Sequence, residues 1–169
     1  GGDVVRIVAS GTDLSFRIKD VPRFVSVGKG NMPSGEIYFS PIADSTEGYV
    51  SYEWPCILRS QEVRGVKLTF KGGMVVEATA EEGEEFLLAT LGTDEGARRL
   101  GEFGVGLNPN IQRFTNNILY DEKIGGTVHL ALGRSYTETG GTNESAIHWD
   151  LITDLRAGGE ILLDGKPLQ

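Results

Sequence analysis

A chain of 169 residues with 39% hydrophobic and 24% charged residues has the composition of one globular domain and not of a disordered segment. Its formal net charge of −8 opposes the positive field that nucleic acids and anionic membranes require, and no stretch approaches the ~18 consecutive apolar residues of a membrane span. The single cysteine, Cys56, excludes an intrachain disulfide and points to a reducing, cytoplasmic setting, its thiol buried and inert among the apolar residues of EWPCIL.

The 24 glycines fall at short intervals, as they do between many short strands. VVRIVA (4–9) and LSFRI (14–18) predict two strands around the turn SGTD. RFVSV (23–27) predicts another, followed by the turn-rich GKGNMPSG (28–35) and the strand EIYFSP (36–41). GYVSYEWP (48–55) carries Tyr52 and Trp54 at alternating positions of a strand-prone run. VRGVKLTFKGGMVVEATA (63–80) reads as a hairpin, with Val66, Leu68 and Phe70 on one face and a Gly72-Gly73 turn.

The pattern then shifts to Glu, Leu, Ala and Arg. A helix is predicted over 81–91 with Phe86, Leu87 and Leu91 inward, Gly92 as its stop, and Thr93 or Asp94 capping a second short helix. Glu81, Glu82, Glu84 and Glu85 read as its solvated start. Residues 108–126 read as a loop with a short helix, TVHLALG and SAIHWDLI as strands, and Asp164-Gly165 as the turn of a closing hairpin. The chain therefore reads as a single α+β domain, 1–169. It is strand-dominated and mostly antiparallel, with a barrel-like sheet and one or two helices around 81–101.

The only two histidines, His129 and His148, lie inside apolar runs. In a strand, side chains at i and i+2 share a face. His148 and Asp150 therefore point together, opposite Ile147, Trp149 and Leu151. An imidazole and a carboxylate so placed can reach one metal ion; a hydrogen bond between them would explain the pair equally well. His129 stands opposite Val128, Leu130 and Leu132 and shares its face with the small Ala131 and Gly133, which leave room for a ligand.

Carboxylates would have to complete such a site. Glu36 opens a strand after a Pro-Ser-Gly turn. Glu102 stands among glycines and apolar residues where a helix is expected to end, a costly place for an unpaired charge. Glu122 is a further candidate, or else a partner of Lys123 on the surface. Tyr136 is either a core aromatic or a phenol donor aimed at a reacting oxygen. No G-x-S-x-G elbow, Walker A motif or H-E-x-x-H helix occurs, and GKGNMPSG precedes a strand and so is no ordinary phosphate cradle.

Four stretches, NMPSGEIYFSP, EVRGVKLTFKGGMVVEATAEEGEEFL, EGARRLGEFGVGLNP and ILYDEKIGGTVHLALGRSYTETGGTNESAIHWDLI, together resemble the M29 family of metalloaminopeptidases, the thermophilic aminopeptidase T type. The resemblance runs through nearly the whole chain. It implies a cytoplasmic enzyme that removes N-terminal residues from peptides with a free N-terminus, using two divalent ions, zinc or cobalt, with magnesium or manganese as further candidates. It implies Glu36, Glu102, His129, His148 and Asp150 as metal ligands, with Glu102 bridging. Glu122 would serve as catalytic base, and Tyr136 would be the counterpart of the family's active-site tyrosine. It also implies a homodimer. The family's N-terminal α/β domain is absent from this sequence, so the expectation is a metal-bearing C-terminal domain with weak peptidase turnover. The competing expectation is a non-enzymatic metal-binding or assembly module.

Overall fold

The computed structural model describes residues 3–18, 20–26 and 33–168, so Val27 and most of GKGNMPSG lie outside the described residues. The first strands are β1 (Val4–Ala9), β2 (Thr12–Arg17), β3 (Phe24–Ser26), β4 (Glu36–Phe39), β5 (Glu47–Ser51), β6 (Cys56–Leu58), β7 (Gln61–Val63), β8 (Lys67–Lys71) and β9 (Met74–Thr79). Helix α1 (Glu84–Leu91) and a 3-10 turn (Gly96–Arg98) lead into β10 (Leu100–Gly106). Then come α2 (Ile118–Asp121), β11 (Thr127–Gly133), a second 3-10 turn (Thr137–Thr139), β12 (His148–Asp154), β13 (Glu160–Leu163) and β14 (Lys166–Pro167). Among the described residues no helix is long and apolar enough to cross a membrane.

Both predicted hairpin turns form for the expected reason. Gly72 and Gly73 (φ 57° and 79°), like Asp164 and Gly165 (φ 50° and 77°), hold the positive φ that a tight two-residue turn requires. Helix α1 starts three residues later than predicted, because Gly83 before it is left-handed (φ 77°). Leu87 and Leu91 are buried as expected, and the half-buried Phe86 packs edge-on against Trp149. Of the two capping candidates, Asp94 is the one used. Its carboxylate accepts the Ala97 N–H at 2.8 Å, and it also accepts the Ser145 hydroxyl and the Ala146 N–H, both at 2.8 Å. One side chain thus ties the 3-10 turn to the lead-in of β12.

Seven strands form one sheet in the order β14-β13-β1-β2-β5-β8-β9, five form another in the order β12-β11-β10-β4-β3, and β6 and β7 pair apart from both. The pairings within both large sheets are antiparallel. Each large sheet is open, so the expected barrel-like closure is not found among the described residues. Alternation along a strand shows that one face is buried; it does not show whether the covering layer is the same sheet curled round or a second sheet stacked upon it.

The core lies between the two sheets. Val5, Ile7, Leu14, Phe16, Leu68 and Phe70 come from the larger, and Phe39, Phe103, Leu130, Leu132, Trp149 and Leu151 from the smaller. Phe103 joins them, its ring 5.0 Å from Phe16 and 5.2 Å from Phe39 between centroids. Cys56 is buried, and burial pushes its thiol up to about 12, which keeps it inert.

Candidate metal centre

The five-stranded sheet turns one face to the core and leaves the other to the polar residues. Directly opposite residues of an antiparallel pair share a face. The register sets Glu36 against Gly106, Tyr38 against Gly104, Gly104 against His129, Glu102 against Ala131, Ala131 against Asp150, and Gly133 against His148. Residues far apart in sequence therefore meet on the face away from Phe103, Leu130 and Trp149.

Glu102 corrects the sequence reading. It is not at a helix end but within β10, flanked by β11 and β4. The register shifts between Leu100 and Glu102: Leu100 opposes the core residue Leu132, yet Glu102 opposes Ala131 on the polar face. Gly101 is the extra residue of a β-bulge, which re-aims one side chain at the cost of one unpaired position. A Cβ at Gly101 would stand 2.3 Å from the Gly133 carbonyl oxygen. Gly101 is a glycine because neighbouring backbone passes so close.

The five expected ligands converge. His129 Nε2 lies 3.3 Å from Glu102 Oε1 and 3.6 Å from Glu36 Oε2. His148 Nε2 lies 3.4 Å from Glu102 Oε2 and 3.5 Å from Asp150 Oδ1. Two groups emerge, Glu36–Glu122–His129 and Glu102–His148–Asp150, with the donor atoms of each within 4.8 Å of one another. Glu36, Glu102 and His129 are buried, and the two carboxylates are costly to hold there without cations nearby. His148 Nδ1 donates to the Arg134 carbonyl at 2.8 Å, which leaves Nε2 directed at the carboxylates. Nitrogen and oxygen donors so arranged could hold a divalent metal ion.

Lys123 also departs from the sequence reading. It does not pair with Glu122 on the surface; it is wholly buried, bonded to Glu122 and 3.4 Å from Glu36 Oε1. The Asn108 N–H bonds the Lys123 carbonyl at 2.9 Å and draws this segment under the sheet. No periodicity marks a loop lysine as internal. Tyr38 is a second residue that the sequence reading passed over, although its i+2 spacing from Glu36 would have placed it on this face. It stacks on Phe24 and meets Tyr136 edge-on at 6.5 Å.

Tyr136 lies beside His148, ring centroids 5.0 Å apart. Its carbonyl accepts the Thr139 hydroxyl at 2.7 Å, which pins the loop that carries it. Burial and the charges of Glu102 and Asp150 push its phenol up to about 12, so it stays a proton donor. Burial likewise lifts the Glu122 carboxyl above its usual range, against the pull of His129 and Lys123.

Burial by itself would lower both imidazoles. Glu102 at His129, and Asp150 at His148, outweigh it and hold each up at about 9. Without metal both histidines therefore carry protons at neutral pH. Their ordinary value is 6.5, so this contribution to folding is complete below about pH 6.5 and is lost as pH climbs through about 9. The metal-free chain is expected to melt at a lower temperature near pH 9.5 than near pH 6.5. A cation must displace these protons, so zinc titrated in at about pH 7.5 should release them. Calorimetry in buffers of different ionisation enthalpy reads that release directly.

His129 lies across Gly104. A Cβ there would stand 2.0 Å from its Cε1 and 2.1 Å from its Nε2. Gly104→Ala is expected to displace the ring and weaken zinc binding by about 10–100-fold, the range seen when the support of a ligand is lost. Circular dichroism checks that the strands survive, and calorimetry gives the affinity.

The sequence profile of the thermophilic metalloprotease (M29) family matches residues 3–160. Aminopeptidase T of Thermus aquaticus is 36% identical over 134 residues, covering 71% of this chain and 33% of that protein. Aminopeptidase 2 of Geobacillus stearothermophilus is 35% identical over 157 residues, 80% of this chain and 37% of that protein. The structure of wild-type AmpT from Thermus thermophilus superposes with a TM-score of 0.85 at 30% identity, over 99% of this chain and 48% of that one. A 2,5-dihydroxypyridine dioxygenase from Pseudomonas putida KT2440 superposes at 0.80 with 19% identity, a likeness of fold alone. The chain thus spans half or less of the length of the aminopeptidases it matches. With the family profile extending over nearly all of the sequence, including both clusters of candidate ligands, the chain belongs to the thermophilic metalloprotease (M29) family.

Proposed function

We propose that the polar face of the five-stranded sheet is a two-metal aminopeptidase centre that releases N-terminal residues from peptides. The observation that carries this reading is Glu102, with one oxygen toward His129 and the other toward His148, as a carboxylate shared by two cations would lie. Glu36 and His129 would complete one site, and His148 and Asp150 the other. Two divalent ions, zinc or cobalt, would supply Lewis-acid polarisation of the scissile carbonyl and lower the pKa of a bound water.

The chain's own groups do the rest. Arg134, through its carbonyl, orients His148. Glu122 has one oxygen tied to Lys123 and its carboxyl raised by burial, which suits it to take the proton of the attacking water. The protonated Tyr136 donates to the oxygen that becomes negative as the carbonyl is attacked. The centre could also hold the substrate's free amine, which would explain action at a free N-terminus. The names of the relatives, aminopeptidases all, support the same reading.

Hydrolysis of aminoacyl p-nitroanilides with added cobalt or zinc tests it. Cleavage is expected, with loss on chelation and no cleavage of the N-acetylated analogue. Equal cleavage of the acetylated substrate would make the protein an amidase. No hydrolysis with two ions bound would make it a non-enzymatic module.

A further inference from the structure

Glu36 is followed on its own face by two further polar residues. Side chains two apart in a strand point the same way, so Glu36, Tyr38 and Ser40 succeed one another along β4 and the residue that continues it. The second and third both reach the loop that carries Tyr136. Tyr38 meets the Tyr136 ring edge-on, with centroids 6.5 Å apart. Ser40 Oγ lies 2.6 Å from Thr139 Oγ1, and the Thr139 hydroxyl donates to the Tyr136 carbonyl at 2.7 Å. Ser40 is 1% exposed and Thr139 0%, so bulk water does not compete for these bonds.

The direction of this chain is fixed by its protons. A hydroxyl has one proton to give. Thr139 spends its own on the Tyr136 carbonyl, so Ser40 is the donor to Thr139. The same carbonyl accepts the Thr139 N–H at 3.2 Å and the Gly141 N–H at 3.1 Å. Gly141 lies flush on the hydroxyls: a Cβ there would stand 2.5 Å from Ser40 Oγ and 2.1 Å from Ser135 Cβ. The ends of the loop are tied separately, Arg134 N–H to the Ile147 carbonyl at 2.8 Å and Ser135 N–H to the Asn143 carbonyl at 2.9 Å. The buried hydroxyls thus fasten the middle of the loop to the strand that holds Glu36, with the Tyr136 ring between Tyr38 and His148.

We infer that Ser40 and Thr139 are positioning residues for Tyr136, fixing its backbone so that the phenol stays over the metal face. This role rests on the two-metal aminopeptidase reading, in which Tyr136 is the donor to the developing oxyanion.

Thr139→Val removes the hydroxyl and keeps the shape. In the zinc- or cobalt-loaded chain it is expected to lower kcat on an aminoacyl p-nitroanilide by about 10–100-fold, since a misplacement of about 1 Å can cost that much. KM and zinc affinity should hardly change. Thr139→Ser keeps the hydroxyl and should recover kcat. In a Tyr136→Phe background Thr139→Val should cost nothing further, because the group through which it acts is already gone. If Thr139→Val folds poorly, with Ser40 left unpaired, Ser40→Ala combined with Thr139→Val removes both partners and serves instead. NMR of the metal-free chain with ring-labelled tyrosine gives a reading independent of turnover. Among the five tyrosines, the Tyr136 signal is the one lost in Tyr136→Phe. It should shift or broaden in Thr139→Val while those of the exposed Tyr49 and Tyr120 stay in place. An unmoved Tyr136 signal, or the same loss of kcat with and without the Tyr136 phenol, would overturn the positioning role. A parent chain that binds two zinc ions yet hydrolyses nothing would overturn the aminopeptidase reading instead, and the NMR comparison would still decide whether the hydroxyls hold the ring.

Discussion

Glu102→Gln is expected to weaken the binding of both zinc ions at once, each by more than about 100-fold, and to abolish turnover while the metal-free fold persists. The outer partners of metal ligands are worth about 10–100-fold each, and a shared ligand must exceed them. Glutamine keeps the shape but offers one neutral oxygen where two charged ones face His129 and His148. The strand should hold, because Phe103 and Leu100 anchor β10 from the other face. His148→Ala is the contrasting case: it removes a ligand of one group alone and should leave the other zinc in place. Calorimetric zinc titration of both variants separates the outcomes. If Glu102→Gln still binds one zinc with the parent's affinity, the carboxylate does not bridge.

Lys123→Met should destabilise the metal-free protein by about 3 kcal/mol or more, the cost of removing one partner from a buried ion pair. For a chain of this length that lowers the melting temperature by about 10 °C. Methionine fills similar space, so the loss is electrostatic. Lys123 is wholly buried between Glu36 and Glu122, and without it these two carboxylates face Glu102 and Asp150 with only the histidine protons to offset them. Bound cations bring the missing positive charge, so zinc should restore most of the difference. Urea unfolding of parent and variant, with and without zinc, measures both effects. A variant as stable as the parent without metal would show that Lys123 is a bystander.

Much of this was legible in the sequence because it depends on neighbours along the chain. The positive φ of Gly72-Gly73 and of Asp164-Gly165 is written in those residues, and so are both hairpins. The i, i+2 spacing of His148 and Asp150, and the alternation around His129, put the histidines on the face away from Trp149 and Leu130 before any partner strand is known. The motifs around Glu36, Glu122 and Tyr136 carried the family resemblance. What tertiary structure decided is everything that depends on register. A one-residue slip turns a strand's side chains to the opposite face, and Glu102 reaches the metal face only through the bulge at Gly101. In a regular strand Glu102 would share the face of Leu100 and point into the core. Lys123, a loop residue with no periodicity to read, becomes internal only when Asn108 pairs with its backbone. The stacking of two open sheets, in place of one closed barrel, rests on contacts such as Phe16 with Phe103, made across 87 positions of sequence. No local pattern encodes such a contact, because its energy exists only once both sheets have formed.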